Sequence, residues 1–164
     1  MMSRRNTLLG LGAAAAGLRG LFFHEQALSS QPGKVYEVTH TDAEWKKLLT
    51  PAQYQVLRRA DTELPGSSPL NAEKRAGIFK CAGCALPLFS SKAKFESGTG
   101  WPSFYEPLSE TAVQKEVDMT MFIKRTEALC HRCGGHLGHV FDDGPKPTGL
   151  RYCINGVSLT FTPT

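Results

Sequence analysis

Five cysteines are arranged as two Cys-x-x-Cys pairs, Cys81/Cys84 and Cys130/Cys133, and one further thiol, Cys153. Two such pairs can close a tetrahedral Zn²⁺ site, because thiolates separated by a two-residue turn reach one ion from the same side. In an exported chain the same four residues could instead form two disulfides. Turn chemistry supports the metal: Cys81-Ala82-Gly83-Cys84 and Cys130-His131-Arg132-Cys133-Gly134-Gly135 place glycine in or just after each pair, as a knuckle folding its backbone around an ion requires. The 45 residues between the pairs exceed a short zinc ribbon, so the ion would clip together distant parts of a larger domain. A site with four protein ligands is coordinatively closed and holds structure rather than performing chemistry.

Cys153 has no thiol partner left. It lies in Gly149-Leu150-Arg151-Tyr152-Cys153-Ile154-Asn155, where period-two alternation puts Arg151, Cys153 and Asn155 on one face of a strand. A cation beside a thiol favours the thiolate, the nucleophilic form. The plainer reading is a free cysteine used as a small hydrophobe. Two further segments carry chemistry. His136 and His139 lack the additional ligands of a second metal site and suit proton transfer near neutral pH, or else serve as hydrogen-bonded core residues. Trp101, in Ser97-Gly98-Thr99-Gly100-Trp101-Pro102-Ser103-Phe104, is either a presented aromatic or a core residue on an irregular loop.

The elements that must position these groups are mostly strands. Short β-branched and aromatic runs punctuated by glycine and proline begin at Gly77 and predict an antiparallel β domain. Gly77–Lys80 and Phe122–Arg125 lead into the two cysteine pairs, Ala112–Arg125 reads as one or two strands, and Leu150–Phe161 reads as a strand containing Cys153. Before them, Thr41 caps a short helix with an acidic first turn, and Thr50 caps a second with Pro51 at its first position. Glu63–Leu70 is too rich in proline, glycine and serine to be regular.

With 164 residues the chain supports one ordinary domain whose modest core a metal clip would reinforce. The formal charge of +4 owes half its value to the first 33 residues, which leave 16 basic and 14 acidic residues from Lys34 onward. Without a basic cluster, nucleic acid is not an expected partner. Residues 1–33 read as an export signal and linker: Arg4-Arg5 precede an apolar Ala/Gly-rich stretch that is short for a membrane span. The paired arginines resemble a twin-arginine signal, which predicts periplasmic export, with a mitochondrial presequence as the alternative. Membrane attachment is expected only if this segment is not cleaved. Export after folding would protect the four thiols, since metal loaded beforehand prevents disulfide formation.

Taken together, the motifs around Cys81/Cys84, Ser97–Phe104, Cys133–Phe141 and Gly149–Asn155 resemble the peptide-methionine (R)-S-oxide reductases, the MsrB family. The likeness runs from about Val35 to Phe161. It implies a mainly β (α+β) domain at 34–164 with two antiparallel sheets, small amino-terminal helices and one structural Zn²⁺ on Cys81, Cys84, Cys130 and Cys133. It also implies Cys153 as nucleophile, His139 and His136 as groups that bind or protonate the sulfoxide oxygen, and substrate contacts from Trp101, Phe141, Arg151 and Asn155. The implied substrate is methionine R-sulfoxide, chiefly within oxidised proteins, and a monomer is expected. Many relatives carry a resolving cysteine where this chain has Thr99. Its absence implies a one-cysteine form, whose Cys153 sulfenic acid is reduced by a thioredoxin-like or other external thiol. The competing readings are a non-enzymatic zinc-knuckle interaction module and a thiol hydrolase built on Cys153 and a histidine.

Overall fold

A threonine opens each helix. The computed structural model, which describes residues 34–120 and 123–164, has α1 at Asp42–Leu48 and α2 at Pro51–Arg59, capped by Thr41 and Thr50. Both ends are capping boxes: the threonine oxygen accepts from the third residue's N–H, and Glu44 or Gln53 answers to the cap's own N–H. The break between the helices follows from Pro51, which disfavours helical geometry in the residue before it. The segment read as an export signal lies outside the described residues.

Among the described residues nine strands follow: β1 Gly77–Cys81, β2 Pro87–Ser90, β3 Lys94–Phe95, β4 Ser103–Phe104, β5 Val113–Asp118, β6 Arg125–Cys130, β7 His136–Phe141, β8 Arg151–Ile154 and β9 Leu159–Pro163. They form two antiparallel sheets, one ordered β2-β1-β9 and the other β3-β4-β8-β7-β6-β5. The core between them is aromatic. Phe89 of the small sheet stacks on Phe104 of the large one at 4.3 Å, and Phe79 meets Phe104 edge-on at 5.0 Å. All three rings are fully buried, so truncating Phe104 to Ala should cost about 3–5 kcal/mol.

Two details differ from the sequence reading. Leu150–Phe161 is not one strand: β8 and β9 belong to different sheets, and a 3₁₀ turn at Gly156–Ser158 carries the chain between them. The run before the second cysteine pair also starts later. Ile123 and Lys124 are exposed and irregular, and the strand leading into Cys130 begins at Arg125.

Candidate active site and cysteine cluster

The two cysteine pairs fold into the same turn. Cys81 N–H donates to Leu86 O and Ala85 N–H to Cys81 O; in the other pair Cys130 N–H donates to Gly135 O and Gly134 N–H to Cys130 O, all four bonds at 2.8 Å. The residue after each pair adopts the left-handed conformation, Ala85 at φ 58° and Gly134 at φ 66°. In the first turn it is therefore the alanine, not Gly83, that takes this position. The four Sγ atoms lie within 4.8 Å of one another, with Cys81–Cys133 at 3.7 Å and Cys84–Cys130 at 3.5 Å. A tetrahedron with metal–sulfur bonds of about 2.3 Å has sulfur–sulfur edges of about 3.8 Å. The cluster fits Zn²⁺, and all four thiols are free of disulfides. Hydrogen bonding within the cluster, chiefly to Cys130, pushes Cys81 up and Cys84 down. From α2, Arg58 Nη1 donates to Cys133 O at 3.0 Å and its guanidinium lies over Trp45. Because β7 starts three residues beyond Cys133, the clip anchors the strand that carries both histidines.

Antiparallel pairing then gathers the chemistry on the large sheet. Cys153 in β8 sits between Ser103 of β4 and His139 of β7 in the strand register. His136 and His139, three apart, would point to opposite faces of a regular strand. The register slips by one residue between Ala128 and Leu129 of β6, and such a bulge returns the next side chain to the same face. The two imidazoles accordingly lie 5.4 Å apart. Gly138 permits the tight approach of β7 to β8, since a Cβ there would stand 2.1 Å from the Cys153 carbonyl oxygen.

A cavity of about 170 Å³ opens beside Cys153, lined also by Trp101, His139, Phe141, Asn155 and Arg125. That is smaller than the pockets that hold whole drug-sized ligands and suits a single side chain. His136 lies behind rather than in the lining. It is buried, its Nδ1–H donates to Glu127 at 2.6 Å, and its Nε2 makes no hydrogen bond to protein. Arg151 is also outside the lining: its guanidinium forms two 2.8 Å hydrogen bonds to Asp143 and covers the Phe141 ring. Its charge still reaches the thiol. Burial pushes the Cys153 thiol up, and Thr99 and Arg151 offset only part of that rise. Burial pushes His139 down against the partly compensating hydrogen bond to Asp118.

Three contributors escaped the sequence reading. Asp118 accepts from His139 Nε2 at 2.9 Å and from Arg125 Nη2 at 2.7 Å. Burial opposes its ionisation, but hydrogen bonds from the hydroxyl and amide of Thr120 and from His139, together with Arg125, hold the carboxyl well below its usual range. Arg125 pairs with Asp118 in register, a match visible only once β5 and β6 are read as one hairpin. Glu63, in the irregular segment, ties the site together. Its carbonyl accepts from Trp101 Nε1 at 3.1 Å, its N–H donates to Asn155 Oδ1 at 3.0 Å, and its carboxylate receives the N–H groups of Gly156 and Val157. No local pattern marks it, because every partner is distant in sequence. A larger groove of about 730 Å³ shares Thr62 with this cavity and is lined also by Glu63, but among the described residues neither a cysteine nor a histidine lines it.

The arrangement offers a recessed thiol, an imidazole in register with it, and aromatic walls around a space for one side chain. The SelR domain matches residues 49–163. Similar proteins named peptide methionine sulfoxide reductase MsrB occur in Leptospira interrogans, 54% identical over 77% of this chain and 96% of that protein, and in Methanosarcina mazei, 56% identical over 77% and 90%. Another, from Pseudomonas entomophila, is 54% identical over 77% of this chain and 97% of its own length. With the matched segment containing the cysteine cluster, both histidines and Cys153, the chain belongs to the SelR domain family, that of the MsrB-type methionine sulfoxide reductases.

Proposed function

We propose that this protein reduces methionine R-sulfoxide to methionine, chiefly within oxidised proteins, through Cys153. The observation that carries the reading is the isolation of one thiol in a side-chain-sized cavity beside His139, while the other four cysteines are committed to the cluster. Sulfoxide sulfur is open to attack only as its oxygen gains a proton, so nucleophile and proton carrier must act together. The resting pair holds what is needed. The raised thiol carries the proton and the lowered imidazole is free to relay it. Attack of Cys153 sulfur, with that proton passing through His139 to the oxygen, moves the oxygen from substrate to cysteine. The products are a thioether and Cys153–SOH, with atoms and electrons balanced. Two external thiols then return the cysteine to the thiol, releasing water and forming their own disulfide.

Trp101 and Phe141 supply apolar walls for the methyl and methylene groups flanking the sulfur, and Asn155, held by Glu63 and Leu137 O, presents a fixed edge of the pocket. Zn²⁺, when bound, supplies structure: Cys81, Cys84, Cys130 and Cys133 hold the start of β7 in place. The chain acts as a monomer, and its paired arginines ahead of an apolar stretch support export to the periplasm by a twin-arginine-type route.

Turnover of the two sulfoxide epimers with a dithiol tests this. The wild type should reduce only the R epimer, and Cys153→Ser should be inactive at unchanged zinc content. Equal use of both epimers, or an active serine variant, would remove the assignment. A zinc-knuckle interaction module would give no turnover, and a thiol hydrolase would act on esters instead.

A further inference from the structure

A continuous line of hydroxyls runs from the reactive sulfur into the protein. Cys153 Sγ lies 3.9 Å from Thr99 Oγ1, which lies 2.8 Å from Ser97 Oγ, which lies 2.7 Å from Ser103 Oγ. Ser103 Oγ in turn donates to the carbonyl of Trp101 at 3.1 Å. The far end is sealed from solvent, Ser103 being 1% exposed, so the hydrogens there must come from the protein.

Counting them decides the direction. Each hydroxyl has one hydrogen to give, and the Trp101 carbonyl can only accept. With Cys153 as a thiol, four hydrogens serve four links and all point inward: sulfur to Thr99, Thr99 to Ser97, Ser97 to Ser103, Ser103 to Trp101 O. When Cys153 ionises, three hydrogens remain for four links. A thiolate is the strongest acceptor on the line and draws the charge-assisted bond. A hydroxyl that itself accepts is a better donor, which favours the inner two hydroxyls turning to follow, and the bond then left unmade is the one at Trp101.

We infer that Thr99, Ser97 and Ser103 form a reversible hydroxyl relay that presents an O–H to the Cys153 thiolate and links its charge to the loop carrying Trp101. Thr99 is then a catalytic residue, in contact with the reacting sulfur, and Ser97 and Ser103 are positioning residues that act through it. The inference rests on Cys153 being the nucleophile. The loop is built for the contact: glycines at positive φ, Gly98 at 74° and Gly100 at 90°, flank Thr99. The other charged or titratable groups around the sulfur are His139 from β7, Arg125 from β6 and, on its own strand, Arg151 with Asp143 beyond it. None of these touches Thr99 through a hydrogen bond among those described, so removing its hydroxyl isolates the relay.

The test is the pH dependence of Cys153 alkylation by iodoacetamide in the zinc-loaded protein, read on the Cys153 peptide by mass spectrometry so that the cluster cysteines do not contribute. Thr99→Val should move the midpoint up by about one pH unit, roughly a tenfold loss of thiolate at a given pH. Thr99→Ser should return it to within about 0.3 of a unit of wild type, and Ser97→Ala should move it upward by a smaller step. An unchanged midpoint in Thr99→Val overturns the relay. So does a Thr99→Ser shift as large as that of the valine variant, which would assign the effect to packing of the methyl group. Should the valine variant fail to retain zinc, Ser97→Ala decides alone: an unchanged midpoint there rejects the relay. Alkylation needs no sulfoxide, so a chain that shows these shifts yet reduces no sulfoxide would refute the proposed activity while leaving the relay standing.

Discussion

Asp118 accepts a hydrogen bond from His139 Nε2 at 2.9 Å through the same carboxylate oxygen that Arg125 grips at 2.7 Å. The ionised acid can only accept, so it fixes the hydrogen on Nε2 and leaves Nδ1 of the neutral ring as the acceptor. Asp118→Asn keeps the shape but can offer the ring a donor as readily as an acceptor. Turnover should fall roughly tenfold to a hundredfold through kcat, with KM nearly unchanged and zinc retained. Steady-state kinetics on the R epimer measures this, and an effect confined to KM would place Asp118 in substrate binding instead.

The missing resolving thiol leads to a mass signature. One equivalent of sulfoxide without reductant should leave wild-type Cys153 as a sulfenic acid that a dimedone-type reagent traps. Thr99→Cys puts sulfur where Thr99 Oγ1 now lies, 3.9 Å from Cys153 Sγ. Closing that gap to about 2 Å gives a disulfide. After a single turnover the wild type should gain an oxygen or an adduct, and the variant should lose two hydrogens. A wild-type disulfide from Cys153 to a cluster cysteine, with zinc released, would show that the metal site supplies the resolving thiol.

Activity should follow a bell-shaped pH profile with a broad top. Burial lowers His139 from its ordinary 6.5 and raises Cys153 from its ordinary 9.0. As pH falls through the His139 value, the ring becomes protonated and can no longer take the thiol's hydrogen. As pH rises through the Cys153 value, the hydrogen destined for the sulfoxide oxygen is lost. The acid limb of kcat/KM should therefore lie below pH 6.5 and the alkaline limb above pH 9.0. An acid limb above 6.5 would contradict the burial of His139. The same depressed value contributes stability that is present above 6.5 and lost as pH falls through the folded-state value.

Removing the metal should unfold the domain rather than only silence it. The four thiolates join the ends of β1 and β6 with the turn that starts β7, so metal binding and folding are coupled. Purified protein should contain about one zinc per chain, and a strong chelator should abolish the circular-dichroism signature of the sheets together with activity. Retained sheet structure after complete zinc loss would make the cluster dispensable for folding.

Much of this protein is written locally. Thr41 and Thr50 announce both helices because a cap needs only its next three residues, and the paired cysteines announce the cluster because a knuckle is a turn. The resemblance in the motifs around Trp101, His136–Phe141 and Cys153 identified the family. What depends on distant partners was decided by the tertiary structure. The break at Gly156–Ser158 separates two apolar runs, Leu150–Ile154 and Val157–Phe161, whose alternation changes phase there, and the packing of two sheets makes the chain change layers at that point. The slip opposite Leu129 brings His136 and His139 to one face against simple alternation. Asp118 and Arg125 meet only across a hairpin, and Glu63 gains its role from Trp101, Asn155, Gly156 and Val157, all of which arrive by folding. Residue types and spacing determined what chemistry the chain can perform. Which hydrogen goes to which acceptor was decided by the register of the strands, because a proton is shared over about 3 Å and sequence alone does not specify distances across a sheet.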